Sequence, residues 1–264
     1  MAKTSLVLKE QDSTAISLVN DEMMAMLMED SGKGVSSSAE DNIVPIIYLL
    51  QANSPATKKS NPAYIEGAVA GDIWKRNSIH QPLVKGDEGM YFQPCYFSKV
   101  WIEWRPNRGG LAGVHQDRPV DAKEVEVMQE GRPRRKWMRD NGNEVVETRQ
   151  HIGFAGSEPY VISLSSTGHT VSRAFMQMMG QQYYPGASKA APSWSKIYKV
   201  TTVERNKDGN SWYVYKFEDI GEEGWVDIEK YKRGKALFES FSKGEKVAHV
   251  EEDLGVDNSE ETPF

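Results

Sequence analysis

The sequence has little of what catalytic or membrane proteins usually display. It has a single cysteine in 264 residues, Cys95, which excludes an internal disulfide. Set among bulky strand formers, it reads as a packed thiol rather than a nucleophile. No apolar run approaches the roughly 20 residues that a membrane helix needs, and the N-terminus lacks the basic-then-apolar pattern of a secretory signal. A cytoplasmic protein is expected. No GxxxxGKS/T or GxGxxG loop is present to cradle a phosphate, and no GxSxG elbow presents a serine. His80, His115, His151, His169 and His249 are scattered, at no zinc-ligand spacing. Nothing in the chain calls for a cofactor or a metal, so a binding protein rather than an enzyme is expected.

Two features come nearest to a catalytic site. Asp117, Asp121 and Glu124 could hold magnesium for a nuclease. With Arg118 and Lys123 among them, they read first as a solvated face. His115, in GVHQDRP, reads as a hydrogen-bonded loop residue before it reads as a site histidine.

What the chain does have is an uneven charge distribution. The net charge is −6, but residues 1–42 hold eight acids against three bases, and the last fourteen residues hold six acids and no base. The body between them, 43–250, therefore carries +5. A basic body between acidic ends is the pattern of a polyanion binder with an interaction tail.

Within that body, 91–105 (YFQPCYFSKVWIEWR) reads as a long strand. Strict alternation puts Phe92, Tyr96, Val100, Ile102 and Trp104 on one side as core. Phe97, Lys99, Trp101, Glu103 and Arg105 then share the other side. Rings interleaved with cations suit a surface on which unpaired bases stack while their phosphates are neutralised. The plainer reading is a two-sided strand with amphipathic edges. The same mixture returns in 132–139 (RPRRKWMR), where Trp137 lies among Arg132, Arg134, Arg135, Lys136 and Arg139. Arg suits this role because it pairs with phosphate in a fork and also stacks on bases. The competing reading is an exposed basic loop that keeps the protein soluble. Arg108 lies in the Gly/Arg-rich loop between the two stretches. These rings and cations are expected to face one open groove.

The remaining elements follow from local pattern. A helix is expected over 14–28, with Met23 and Met26 in its apolar stripe, followed by a linker to residue 42. Residues 43–50 read as an edge or irregular strand around Pro45, with a turn at Ser54-Pro55. A short helix over 120–129, started by Pro119, is expected inside a long loop spanning 105–143. Strands are expected at 144–148 and 160–164, then a helix with Val171, Phe175, Met178 and Met179 as its stripe, ended by Gly180. Next comes a hairpin, 196–204 (KIYKVTTVE) and 211–218 (SWYVYKFE), turned at Asp208-Gly209. It adds Lys196, Tyr198, Lys199, Trp212, Tyr213, Tyr215 and Lys216 to the candidate binding residues. A last helix over 227–241 would bury Ile228, Tyr231, Leu237, Phe238 and Phe241, with Gly234 weakening it. From Lys243 the chain reads as unstructured, an acidic tail over 244–264.

Three strand regions, a helix and then a hairpin form the order of an OB-like Greek-key barrel. The expected fold is mainly β, an OB-like domain over 43–243 with an insertion at 105–143 and flanking helices. A mixed α+β sandwich fits the same pattern. The end of the chain, Glu260, Glu261, Thr262, Pro263 and Phe264, is an acidic run closed by an aromatic residue. Such an end suits an apolar pocket with a basic rim on a partner protein.

Several segments together resemble a bacteriophage-encoded single-stranded-DNA-binding protein. They are 43–51 (IVPIIYLLQ), Ser54-Pro55, 64–67 (YIEG), Gly71-Asp72 and 101–105 (WIEWR). The ending is similar to that of bacterial single-stranded-DNA-binding proteins. The resemblance implies an OB-type core, protection of single-stranded DNA in phage replication, recombination and repair, and a place in the host cytoplasm. It also implies recruitment of replication or recombination proteins through Glu260, Glu261, Pro263 and Phe264. The alternatives are a strand-annealing recombinase, the magnesium-dependent nuclease described above, and a virion or scaffold component without a nucleic-acid role.

Overall fold

The computed structural model describes residues 43–76, 83–106, 109–129, 132–207 and 209–248, together with Met23, Met26 and Glu29. The chain divides into two units, Met1–Ser38 and Ala39–Phe264, and every strand and helix named below belongs to the second. In the first, Met23, Met26 and Glu29 are helical and exposed. The rest of the expected 14–28 helix lies outside the described residues, as do 249–264.

The second unit is mainly β. Its strands begin with β1 (Ile43–Val44), β2 (Ile46–Leu49), β3 (Ile73–Lys75), β4 (Leu83–Val84) and β5 (Met90–Trp104). Then follow β6 (Leu111–His115), β7 (Lys123–Gln129), β8 (Arg132–Met138), β9 (Glu144–Ala155) and β10 (Glu158–Ser165). Helix α1 (Gly168–Gly180) leads to β11 (Tyr198–Lys207) and β12 (Asn210–Asp219). Helix α2 (Ile228–Ser242) and β13 (Val247–Ala248), which pairs with β1, complete the described chain.

Eleven of these strands form one sheet, in the order β12-β11-β5-β9-β10-β2-β3-β4 with β6, β7 and β8 added at one end. The sheet is curled into a half-barrel. Its interior holds Met90, Phe92, Tyr160, Ile162, Phe175, Tyr198, Val200, Tyr215 and Phe217, all buried. Phe175 of α1 stacks on Phe217 with ring centroids 3.9 Å apart. His151 lies among Phe97, Phe175 and Phe217, 1% exposed, with Nε2 2.9 Å from Ser172 Oγ. Burial there pushes its pKa down to about 3.

Helix α2 closes part of the outer face. Leu237 and Phe241 pack over Cys95, Tyr96, Ile152 and Val161, and burial pushes the Cys95 thiol up to about 12. Gly234 lets the helix cross so closely: a Cβ there would lie 2.7 Å from Trp194 Cβ and 2.8 Å from Gln93 Nε2. Gln93 in turn donates to the Trp194 and Lys230 carbonyls, at 2.7 and 3.0 Å. On the far side of the half-barrel no ladder joins β2 to β12. Beside β2, the Gln51 carboxamide donates to the Tyr213 carbonyl at 3.0 Å and accepts from the Tyr213 amide at 2.9 Å.

Several sequence expectations need correction. The ladder of β5 with β9 shifts register between Pro94 and Tyr96. This bulge switches the alternation, so the interior row runs from Phe92 to Phe97 and Trp101 instead of to Tyr96 and Val100. Residues 123–129 form a strand, not a helix, because the Glu-Val-Glu-Val alternation prevails over the Pro119 start signal. The 105–143 segment is accordingly a three-stranded arm rather than a loop. Ile228 is 66% exposed and does not join the buried side of α2. The acidic tail contributes Val247 and Ala248 to a parallel pair with β1.

Candidate nucleic-acid interface

The β11–β12 hairpin presents two chemically different faces, and its register defines them. Opposed residues in an antiparallel ladder point the same way. Val200 with Phe217 and Thr202 with Tyr215 turn inward. Lys199 with Glu218, Thr201 with Lys216, Val203 with Val214, Arg205 with Trp212 and Lys207 with Asn210 turn outward. The ladder of β11 with β5 adds Tyr91 beside Lys199, and Tyr91 is 59% exposed. This outer face therefore carries four cations, Lys199, Arg205, Lys207 and Lys216, with an aromatic ring near each end.

Glu218 is the one acid at these register positions, and it takes an ion pair from Lys216 at 2.8 Å. The bond from Lys216 is the leading influence that holds the Glu218 carboxyl below its usual range. From Lys199 to Arg205 the strand spans six residues, about 20 Å at strand rise. Trp212 is half-buried, and its Nε1 has no hydrogen-bond partner among the described residues. Arg205, Lys207 and Tyr91 were not singled out by the sequence. The alternation inside KVTTVERNK could have found the first two, whereas Tyr91 needed the pairing of β5 with β11.

The arm is organised around a buried carboxylate. Glu103 on β5 is 3% exposed. Its Oε2 accepts from Arg139 Nη1 at 2.7 Å and lies 2.7 Å from His115 Nε2. Its Oε1 accepts from Asn143 at 2.5 Å and from Asn141 at 3.3 Å. Burial alone would raise this carboxyl, but the bonds from Asn143, Arg139, His115 and Asn141 outweigh burial and hold it at about 2. Arg139 Nε also reaches both oxygens of Asp121 at 3.0 Å. Glu103 thus fastens β6 and the β8–β9 connection to β5, and Arg139 ties in the 116–122 turn through Asp121. Alongside, Trp101 and Trp137 meet edge to face at 6.1 Å, and the Arg118 guanidinium lies 3.9 Å from the Trp137 ring centroid.

The single groove expected from the sequence is not what the fold builds, because its residues are distributed over several places. Tyr198 and Tyr215 are 1% and 4% exposed and belong to the interior, so neither ring is open to a base. Burial also pushes the Tyr198 hydroxyl well up. Lys196 is buried and committed to Asp219 at 2.6 Å and to Gln182 at 2.7 Å. Trp101 is buried against Val145 and Ala122. Phe97 is half-buried against His151, and Lys99 is exposed on the same side. Tyr213 faces inward, its ring against Gly71.

The basic run splits between the two faces of a ribbon. Arg135 and Trp137 share one face with Glu124 and Glu126, while Arg134 and Lys136 share the other with Val125 and Val127. Lys136 pairs with Glu144 at 3.1 Å, Arg135 lies 3.8 Å from Glu124, and Arg139 is internal to the arm. Arg105 and Arg134 are exposed. Arg108, the Arg132 side chain, and Glu260, Glu261, Pro263 and Phe264 lie outside the described residues. Lys199, Trp212 and Lys216 remain together, on the outer face of the hairpin.

No helix among the described residues is long and apolar enough to cross a membrane. No curated protein and no solved structure matches the chain. The model of the Pam3 phage gp34-like protein family matches residues 13–247, and the chain belongs to this family of phage proteins.

Proposed function

We propose that this protein binds single-stranded DNA without strong sequence preference along the outer face of β11–β12, and protects it during phage DNA replication, recombination or repair. The observation that carries the reading is the composition of that one face, where Lys199 lies beside Tyr91, Lys216 follows, Arg205 lies opposite Trp212 and Lys207 just beyond it, with Glu218 as the one acid at these register positions. Rings give each base a stacking surface and cations follow the backbone, an arrangement that tolerates any sequence. The role is binding, not catalysis.

Connectivity supports the same reading. The β5-β9-β10 meander, then α1, then a β11–β12 hairpin whose first strand returns to β5, follows the order of an OB-type Greek-key barrel. OB domains use the outer face of their second and third strands, together with the loop between the fourth and fifth. Here α2 covers part of the first of these surfaces at Ile152 and Val161. The strand is therefore assigned to the neighbouring hairpin and its tip. The acidic end, through Glu260, Glu261, Pro263 and Phe264, is proposed to recruit replication or recombination proteins.

The test is a titration of fluorescein-labelled oligo-dT in the presence of magnesium, at about 50 and about 200 mM salt, with the DNA recovered and sized afterwards. A complex that weakens with salt and returns intact DNA supports the proposal. Shortened DNA would point to a nuclease, although Asp117, Asp121 and Glu124 form no metal-holding group among the described residues and Asp121 is taken by Arg139. Absence of a complex at the lower salt refutes DNA binding.

A further inference from the structure

A pocket of about 380 Å³ opens between the 181–195 segment and the start of α2, walled by Tyr184, Pro192, Ser195, Trp225 and Tyr231, with Lys189 also in its lining. Its volume lies in the range of small-ligand sites. Tyr184 and Trp225 meet edge to face at 5.2 Å, and Tyr184 is 59% exposed, which leaves ring surface open to a planar guest.

The wall is held rigidly. Trp225 bridges to Lys196, the Ile197 amide donates to the Gly224 carbonyl at 2.7 Å, and the Val226 amide donates to the Ser195 carbonyl at 3.1 Å. The Lys196 ammonium lies 5.2 Å from the Trp225 ring centroid. A pre-set wall loses little ordering entropy when a guest enters.

The pocket adjoins the candidate interface. Trp194 and Lys230, next in sequence to the wall residues Ser195 and Tyr231, hold Gln93 through their carbonyls. Tyr91 is two residues from Gln93 on the same face of β5, about 7 Å away at strand rise. Ser195 is four residues from Lys199, about 13 Å if the segment is extended. A strand passing Trp212, Arg205, Lys216 and Lys199 thus arrives at Tyr91 and the mouth of the pocket.

We propose that this pocket receives one base of the bound strand, stacked on the exposed Tyr184 ring with Trp225 closing the wall beside it, and with Lys189 toward the adjoining phosphate. The inference rests on the single-stranded-DNA reading above and deepens it. Because the lining is mostly rings, Ala side chains and Pro192, it holds a base chiefly by stacking on one face, which keeps binding sequence-tolerant.

The full chain is irradiated with oligo-dT in which 5-iodo-deoxyuridine replaces thymidine at successive positions, and the adducts are located by mass spectrometry. Adducts on Tyr184 or Trp225, together with a loss of about fivefold or more in affinity for Tyr184→Ala, are expected. Tyr184 is exposed, so the variant keeps its fold, checked by its melting curve. If a complex forms and adducts appear only at Tyr91 or Trp212, with Tyr184→Ala binding like the parent, the pocket assignment is overturned and the DNA reading stands. If no complex forms at low salt, both fall.

Discussion

The salt dependence of DNA binding follows from the hairpin face. For single strands, each phosphate neutralised contributes about −0.7 to the slope of log K against log salt. Lys199, Arg205, Lys207 and Lys216 therefore set a slope of about −2.8, reduced to the extent that Glu218 keeps Lys216. Between about 50 and about 200 mM salt this amounts to roughly a 50-fold loss of affinity. The triple variant Lys199→Ala, Arg205→Ala, Lys207→Ala keeps only Lys216 of these four, so this face then contributes about −0.7 to the slope and the same salt step costs about threefold through it. Arg205 and Lys207 are exposed and Lys199 is half-buried, so their truncation leaves the buried Thr201 and Val214 between them in place, and a melting curve checks that the fold is kept. Anisotropy titrations of oligo-dT at five salt concentrations measure both slopes. A variant whose slope equals that of the parent would remove this face from the interface, whatever happened to the absolute affinity.

Three predictions concern the scaffold. His151 has an ordinary pKa of 6.5 and is held near 3 when folded, so the unfolded chain takes up its proton first as pH falls. Its contribution is complete above pH 6.5 and is lost on the way down, about 2 kcal/mol by pH 5. Glu103, with an ordinary value of 4.5, keeps its full contribution above that and begins to lose it only below. Urea midpoints at pH 7 and pH 5, with His151→Gln as the comparison, isolate the histidine, and an equal fall in both proteins would contradict the assignment. Glu103→Gln is expected to cost about 3 kcal/mol, the lower end for a broken buried pair because Arg139 keeps Asp121. Amide exchange should rise at β6 and at 139–143, and an unchanged melting curve with unchanged exchange would count against the fastening role. Gly234→Ala gains about 1 kcal/mol of helix propensity but loses about 1–3 kcal/mol through crowding of Trp194 and Gln93. A net loss in thermal stability is expected, and a more stable variant would show that α2 shifts away without cost.

The elements that local pattern alone decides were legible. The β11–β12 hairpin announces itself through alternating Val, Tyr and Phe residues and a Gly turn. Helix α1 was visible from the spacing of Phe175 and Met179. What failed was whatever depended on a partner remote in the chain. The bulge after Pro94 turns Trp101 inward, and Pro94 is the one local sign of it, one that an edge strand would carry equally. Glu103 reads as one charge on an amphipathic strand because its partners stand 12 to 40 residues away. The basic run 132–139 looks like one strip because sequence is linear. As a strand, it sends neighbouring cations to opposite sides, Arg135 opposite Glu126 of β7 and Arg134 and Lys136 opposite its valines. Tyr91 became part of the candidate interface only through its pairing with Lys199.

Gln51 has a consequence for how this barrel wall breathes. Where a continuous ladder would distribute its cohesion over many backbone bonds, the join at Tyr213 depends on one primary amide gripping one residue at both its N–H and its C=O. Besides it, the Tyr215 hydroxyl donates to the Ile47 carbonyl at 3.2 Å, so this seam is held by side-chain bonds at separate points and not by a run of backbone ones. Because Tyr213 belongs to the same strand as Trp212 and Lys216, loosening the Gln51 grip would change the curvature of the hairpin without touching a residue on its outer face.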